Sequence, residues 1–184
     1  MGHKRILGKT KDYLTGREIT DTDDERYRQK LVRLLVEVKG YDKGDIESKR
    51  RIGMQIEGRN VFSLIDFVVE VAGRKFMVIK YGPGSLVTRE RPALAAARIL
   101  EEYEIPVTVV SNGEDAEILD TAKGEVIATG LAAIPDKLSA LKKLGSFTPH
   151  ILGPKQIEAE RRILSAYDYL EHDLECDADW CKPE

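Results

Sequence analysis

Two charged residues stand in runs that are otherwise apolar. Asp66 lies within Leu64-Ile65-Asp66-Phe67-Val68-Val69, and Lys80 follows Phe76-Met77-Val78-Ile79. A charge in such a run is costly to bury unless a partner answers it. Both runs read as β-strands joined by the turn Ala72-Gly73-Arg74. A register with Val68 opposite Val78 sets Asp66 opposite Lys80, and the spacing predicts the two side chains on one face. Such a pair, beside the loop Gly82-Pro83-Gly84-Ser85, is a candidate site. A plain cross-strand ion pair at a sheet edge satisfies the same spacing. The loop has backbone amides to offer a phosphate, yet it lacks the Gly-Lys-Ser/Thr ending of a P-loop and reads equally as a strand-ending turn. Two basic clusters follow the same logic. Lys49, Arg50, Arg51 and Arg59 form one, and Arg89, Arg91 and Arg98 the other. Either could meet nucleic-acid phosphates, or each could be a solvated face paired with nearby acids such as Glu101 and Glu102.

The elements that must position these residues follow from periodicity. Residues 1–21 are polar and aperiodic, and read as an N-terminal arm. Thr22 and Glu25 have the spacing of a helix-start capping box, and Leu31, Leu34, Leu35 and Val38 continue a helix to Gly40. Residues 46–56 predict an exposed strand, and Val61–Val71 and Lys75–Tyr81 the hairpin. Pro92 then marks the first turn of a helix reaching Tyr103. Ile105–Val110 has the character of a buried strand, followed by an Asn112-Gly113 turn read as structural. Ala116–Leu119 and Glu125–Ala128 flank a Lys123-Gly124 turn. Pro135–Leu144 is a short helix, residues 146–154 a linker, and Gln156–Cys176 a last helix. The order α-β-β-β-α-β-β-β with trailing helices predicts an α/β fold, a mixed sheet with helices on its faces.

Composition narrows the function. The chain has 184 residues, 42% hydrophobic and 33% charged, an ordinary globular balance. Its net charge of −3 is unlike that of a non-specific nucleic-acid binder. The acidity is local, however. Residues 1–154 carry 25 basic and 23 acidic side chains, a net of +2, whereas residues 155–184 carry 4 and 9, a net of −5. No apolar run suits a membrane span or a signal peptide, and two cysteines fit a reducing compartment, so a cytoplasmic location is expected. His172, Cys176 and Cys181 have zinc-ligand chemistry, but three ligands fall short of the four a structural site needs, and zinc is not expected. Trp180 and the acidic tail are expected to fray or to cover an oligomer contact.

The run Asp24-Glu25-Arg26-Tyr27-Arg28-Gln29-Lys30-Leu31-Val32-Arg33-Leu34-Leu35-Val36-Glu37-Val38-Lys39-Gly40-Tyr41 resembles the opening of the N-terminal domain of type I restriction enzyme R subunits. The likeness continues through residues 64–69, residues 73–80 and Val109-Val110-Ser111-Asn112-Gly113-Glu114, and covers roughly residues 12–140. It implies the PD-(D/E)XK restriction-endonuclease-like fold: a mixed β-sheet flanked by helices over residues 22–145, with linker, helix and acidic tail over 146–184. It also implies Mg²⁺-dependent phosphodiester hydrolysis, in which strand acids hold the metal and a lysine stabilises developing charge. By position, Asp66 is the metal-binding aspartate and Lys80 the catalytic lysine. The acid expected two residues before that lysine is missing, because position 78 is valine. The Gln and Tyr that family members tend to carry on the next helix are missing too. Glu70 lies about 13 Å along the strand from Asp66, too far to share a metal. Glu47, and after it Glu25, are the candidates for a relocated metal carboxylate.

Three functions are compatible with this reading. One is a member of the nuclease fold that binds DNA, or assists a restriction or repair complex, with cleavage reduced or lost. The second is an active Mg²⁺-dependent DNA endonuclease with a relocated acid. The third is a non-catalytic interaction or homo-oligomerisation module. With no helicase-motor motifs in it, the chain is expected to be a free-standing piece rather than a whole R subunit.

Overall fold

The computed structural model describes residues 6–56, 59–167 and 170–171. The mixed α/β architecture is as expected. The main sheet has the order β3-β4-β5-β6-β7-β8, with strands β3 (Ile46–Ile56), β4 (Arg59–Val71), β5 (Arg74–Tyr81), β6 (Val107–Ser111), β7 (Ala116–Asp120) and β8 (Glu125–Thr129). Only β5 and β6 run parallel, with helix α2 (Val87–Ile99) as their crossover; every other neighbour is antiparallel.

Helix α1 (Asp23–Arg33) starts where Thr22 accepts a hydrogen bond from the Glu25 amide at 3.1 Å. The reciprocal arm of the capping box does not form. Glu25 instead accepts from Gln29 at 2.9 Å, one turn on. A π-turn over Leu34–Val38 continues the helix until Gly40, whose φ of +73° ends it. Between β4 and β5 the two loop residues Ala72 and Gly73 both have positive φ, the mirror-type turn that matches strand twist. The expected register follows, with Val68 opposite Val78.

Two apolar layers sandwich the sheet. Leu31 and Val32 of α1 and Leu35 of the π-turn pack with Ala140 and Leu144 of α3 (Lys137–Gly145) against Phe67, Val69, Met77 and Ile79. On the other face Ala95, Ala96 and Ala97 of α2 and Leu164 of α4 (Pro154–Tyr167) pack against Ile65, Val68 and Val78. The small alanines let α2 lie close on the sheet.

Several elements depart from expectation. The N-terminal arm contains a hairpin, β1 (Ile6–Lys11) with β2 (Glu18–Thr22), whose polar strands gave no alternation to read. Helix α2 begins at Val87, so Pro92 lies inside it rather than at its first turn. The last helix stops at Tyr167, and a short strand β9 (Leu170–Glu171) pairs with Val61 and Phe62 of β4. His172, Cys176, Trp180 and Cys181 lie outside the described residues. Among the described residues no helix is long and apolar enough to cross a membrane.

Candidate functional site

Strand β4 is longer than its neighbour β5. Its second half pairs with β5 and its first half with β9, so the sheet forks at Asp66. The strand also exchanges its faces there. Val61 and Ile65 pack under α2 and α4, whereas Phe67, Val69 and Val71 pack under α1. Strand β3 does the same between Ile46, on the α1 side, and Ile52 and Met54, on the α4 side. By register Lys49 stands opposite Asp66, and it holds the left-handed φ of +58° that only a constrained non-glycine residue keeps.

The exchange corrects the expected geometry. Asp66 and Lys80 are opposite in register but do not simply share a face. Asp66, 5% exposed, turns towards α1, where its Oδ1 accepts from Arg28 Nε at 2.5 Å and its Oδ2 from the Tyr81 amide at 2.7 Å. Lys80, 7% exposed, donates from Nζ to Ser63 Oγ at 3.4 Å. Burial brings its pKa down to about 8; Asp66 works against that fall and Arg89 adds to it. Lys80 is therefore mostly protonated at neutral pH and loses its proton just above.

Arg28 is the residue that sequence reasoning passed over. It lies one helical turn after Asp24 and Glu25, and its Nη1 comes within 4.0 Å of Glu25 Oε2. Its guanidinium sits 4.9 Å from the Tyr81 ring centroid. Tyr81 stacks at 6.1 Å on Tyr27, and its hydroxyl donates to Asp24 at 3.1 Å. Burial opposes the charge on Arg28, but Asp66, Glu25 and Asp24 together outweigh it and leave the pKa above the ordinary arginine value. The i, i+3 spacing to Glu25 was visible in the sequence. That this face of α1 would dock over Asp66 was not.

The remaining expected residues divide. Lys49 Nζ reaches Glu25 Oε2 at 3.6 Å and so belongs to the same cluster. Arg89 flanks Lys80 closely enough to lower its pKa, and donates to the Pro83 carbonyl at 2.7 Å. Its guanidinium lies so near Gly82 that a Cβ there would come within 2.2 Å of it and displace the arginine. Glu47 is 43% exposed and accepts from Arg50 Nη1 at 3.1 Å; the acid that shares Arg28 with Asp66 is Glu25. Arg51 lies over the Phe62 ring at 4.7 Å. Arg91 is drawn into a different cluster, bound to Glu160 at 2.6 Å. Arg98 completes that second cluster, on Glu160 at 2.9 Å and Glu104 at 3.2 Å. Asn112 accepts from the amides of Glu114 and Asp115, and Gly113 is pressed against the Tyr27 ring, so that turn is structural as expected.

Position 78 is fully buried in the apolar cluster beneath α2. A valine there offers no ligand, and both Asp66 oxygens are engaged. Among the described residues no three Asp, Glu, His or Cys side chains converge. This donor set does not fit Mg²⁺, which demands near-octahedral oxygen coordination.

The sequence profile of the family described as type I restriction enzyme R protein N terminus matches residues 23–135. The chain belongs to that family. The matched residues span α1, the fork, α2 and the sheet through β8, so every member of the Asp66 cluster falls inside the match. Comparisons with curated proteins and with solved structures return no match.

Proposed function

We propose that this R-subunit N-terminal family member binds DNA through phosphate contacts at the Asp66 fork and does not cleave it. One observation carries the reading. Four cations gather at a fork where the expected second metal-binding acid is the buried Val78. Arg28, Lys49, Lys80 and Arg89 converge there from four elements, among the carboxylates of Asp66, Glu25, Asp24 and Asp12. Cations held this close together attract an oxyanion. The half-buried Arg50, paired with Glu47, and the exposed Arg51 follow Lys49 along β3, and the net negative charge of the chain lies beyond residue 154. Without a carboxylate at position 78, no group of acids among the described residues assembles the metal-bound water that hydrolysis in this fold requires.

The test is fluorescence anisotropy on duplex and single-stranded DNA in EDTA, over about 50 to 200 mM salt, where phosphate binding weakens steeply. Salt-sensitive binding, with no cleavage in Mg²⁺ or Mn²⁺, is the expected result. Cleavage abolished by both Asp66→Asn and Lys80→Met would replace this reading with that of an active endonuclease. Absence of salt-sensitive binding would replace it with an interaction module.

A further inference from the structure

Arg28 stands between two carboxylates that come from different elements. Its Nε meets Asp66 Oδ1 at 2.5 Å on β4, and its Nη1 lies 4.0 Å from Glu25 Oε2 on α1. One positive centre bridging two acids is the charge arrangement that a divalent cation would otherwise supply. The guanidinium is held from above by the Tyr81 ring and is only 21% exposed, so it is not a loosely tethered surface charge. The Tyr81 amide, where β5 leaves β4, fixes the other Asp66 oxygen and orients the carboxylate towards α1.

We propose that Arg28 takes the place of the divalent cation, as a cation built into the chain between Asp66 and Glu25, so that phosphate binding at the fork is metal-independent. This deepens the DNA-binding reading above and rests on it for its ligand. A guanidinium reproduces part of what a metal does. It neutralises the acids and presents N–H donors with a geometry suited to phosphate oxygens. It has no open coordination position, and so cannot acidify a bound water as a metal does. Exchange of the metal for arginine thus retains binding and removes hydrolysis. It also makes the loss of the acid at position 78 tolerable, since no metal remains for that acid to hold.

The proposal is tested on the full chain with Mn²⁺ alone, without nucleic acid. Titration calorimetry follows the native protein, Arg28→Gln, Arg28→Lys and the double variant Arg28→Gln/Asp66→Asn. Native protein and Arg28→Lys are expected to show no saturable Mn²⁺ site in the millimolar range. Arg28→Gln leaves Asp66 without the guanidinium that answers it, and Glu25 with Lys49 as its cation. It should gain a site at least about tenfold tighter, lost again in the double variant. A folded Arg28→Gln without that gain overturns the proposal. Two measurements need no variant. Mn²⁺ should leave the Tyr81 amide resonance of the native protein unbroadened, and native DNA affinity should agree in EDTA and in Mg²⁺. Broadening of that amide, or a rise of about tenfold with Mg²⁺, overturns the proposal. Because the Mn²⁺ experiments contain no DNA, failure of DNA binding with the Mn²⁺ results as expected removes the function and leaves the exchange. The converse result removes the exchange and leaves the function.

Discussion

Two buried clusters of charge among the described residues are built differently. Between α2 and α4, Arg91 and Arg98 meet Glu104 and Glu160, and His150 approaches Glu104 from the linker. Arg98 also donates to the Thr121 carbonyl at 2.8 Å, so the cluster ties two helices to the β7–β8 turn. Acids and arginines match in number there. At the fork, Arg28, Lys49, Lys80 and Arg89 come from four elements and gather around Asp66, with Glu25, Asp24 and Asp12 beside them. The first cluster closes arginines directly on glutamates and acts as a clamp. The second sets cations from separate elements side by side, the arrangement proposed above to meet a ligand. Sequence distance does not separate the two, since Arg89 serves the fork and Arg91, two residues on, serves the clamp.

Substitutions break or sharpen this contrast, the largest effect coming first. Arg98→Ala leaves two nearly buried glutamates without their shared cation. It should cost about 3–5 kcal/mol in urea or thermal unfolding, while DNA affinity per folded molecule stays unchanged. Equal losses of stability and affinity would mean that the clamp also touches DNA. Asp66→Asn should separate the two properties in the opposite way. Stability falls by about 1–3 kcal/mol as Arg28 loses its carboxylate, and DNA binding tightens because an acid that competes with phosphate for the fork's cations is removed. Weaker DNA binding in Asp66→Asn would contradict the role given to those cations.

Lys80→Met removes one cation from the fork, and its log affinity against log salt should flatten by a slope of about 1. The pH dependence has a definite sign. With a pKa brought down to about 8 by burial, Lys80 carries its charge at pH 7 and loses most of it by pH 9. Native DNA affinity should therefore fall over that interval, by up to about tenfold for the single charge. Lys80→Met should show the fall missing, and Lys80→Arg should keep high affinity throughout. A native affinity flat from pH 7 to 9 would remove Lys80 from the phosphate contacts. His150→Ala should do least. The imidazole is mostly exposed, and its loss should cost at most about 1 kcal/mol in unfolding, with no effect on DNA.

Much of the architecture was legible from local pattern. The turn expected over Ala72-Gly73-Arg74 has only Ala72 and Gly73 in it, and a register shift between Val69 and Glu70 restores the expected pairing. The buried runs 64–69 and 76–79 and the pairing of Val68 with Val78 needed only alternation and turn chemistry, which act over neighbouring residues. So did the capped start of α1 and the turns at Asn112-Gly113 and Lys123-Gly124. The β1–β2 hairpin was not legible, because its polar strands carry no alternating pattern. The end of α4 was not either. The helical period past Tyr167 was outweighed by pairing of Leu170 and Glu171 with the part of β4 that β5 leaves open.

The site shows the same division more sharply. Residue types alone established that Asp66 and Lys80 are charges in apolar strands, opposite one another, and that position 78 cannot ligate a metal. Those conclusions depend on composition and on a strand period of two. Which way Asp66 turns, and which cation answers it, depends on the exchange of faces in β3 and β4 and on α1 lying over the fork. Lys49 in its left-handed backbone and Arg28 on α1 take their roles from contacts between residues 17 and 38 positions from Asp66. No period of the chain encodes such a distance, and it is set when the layers pack.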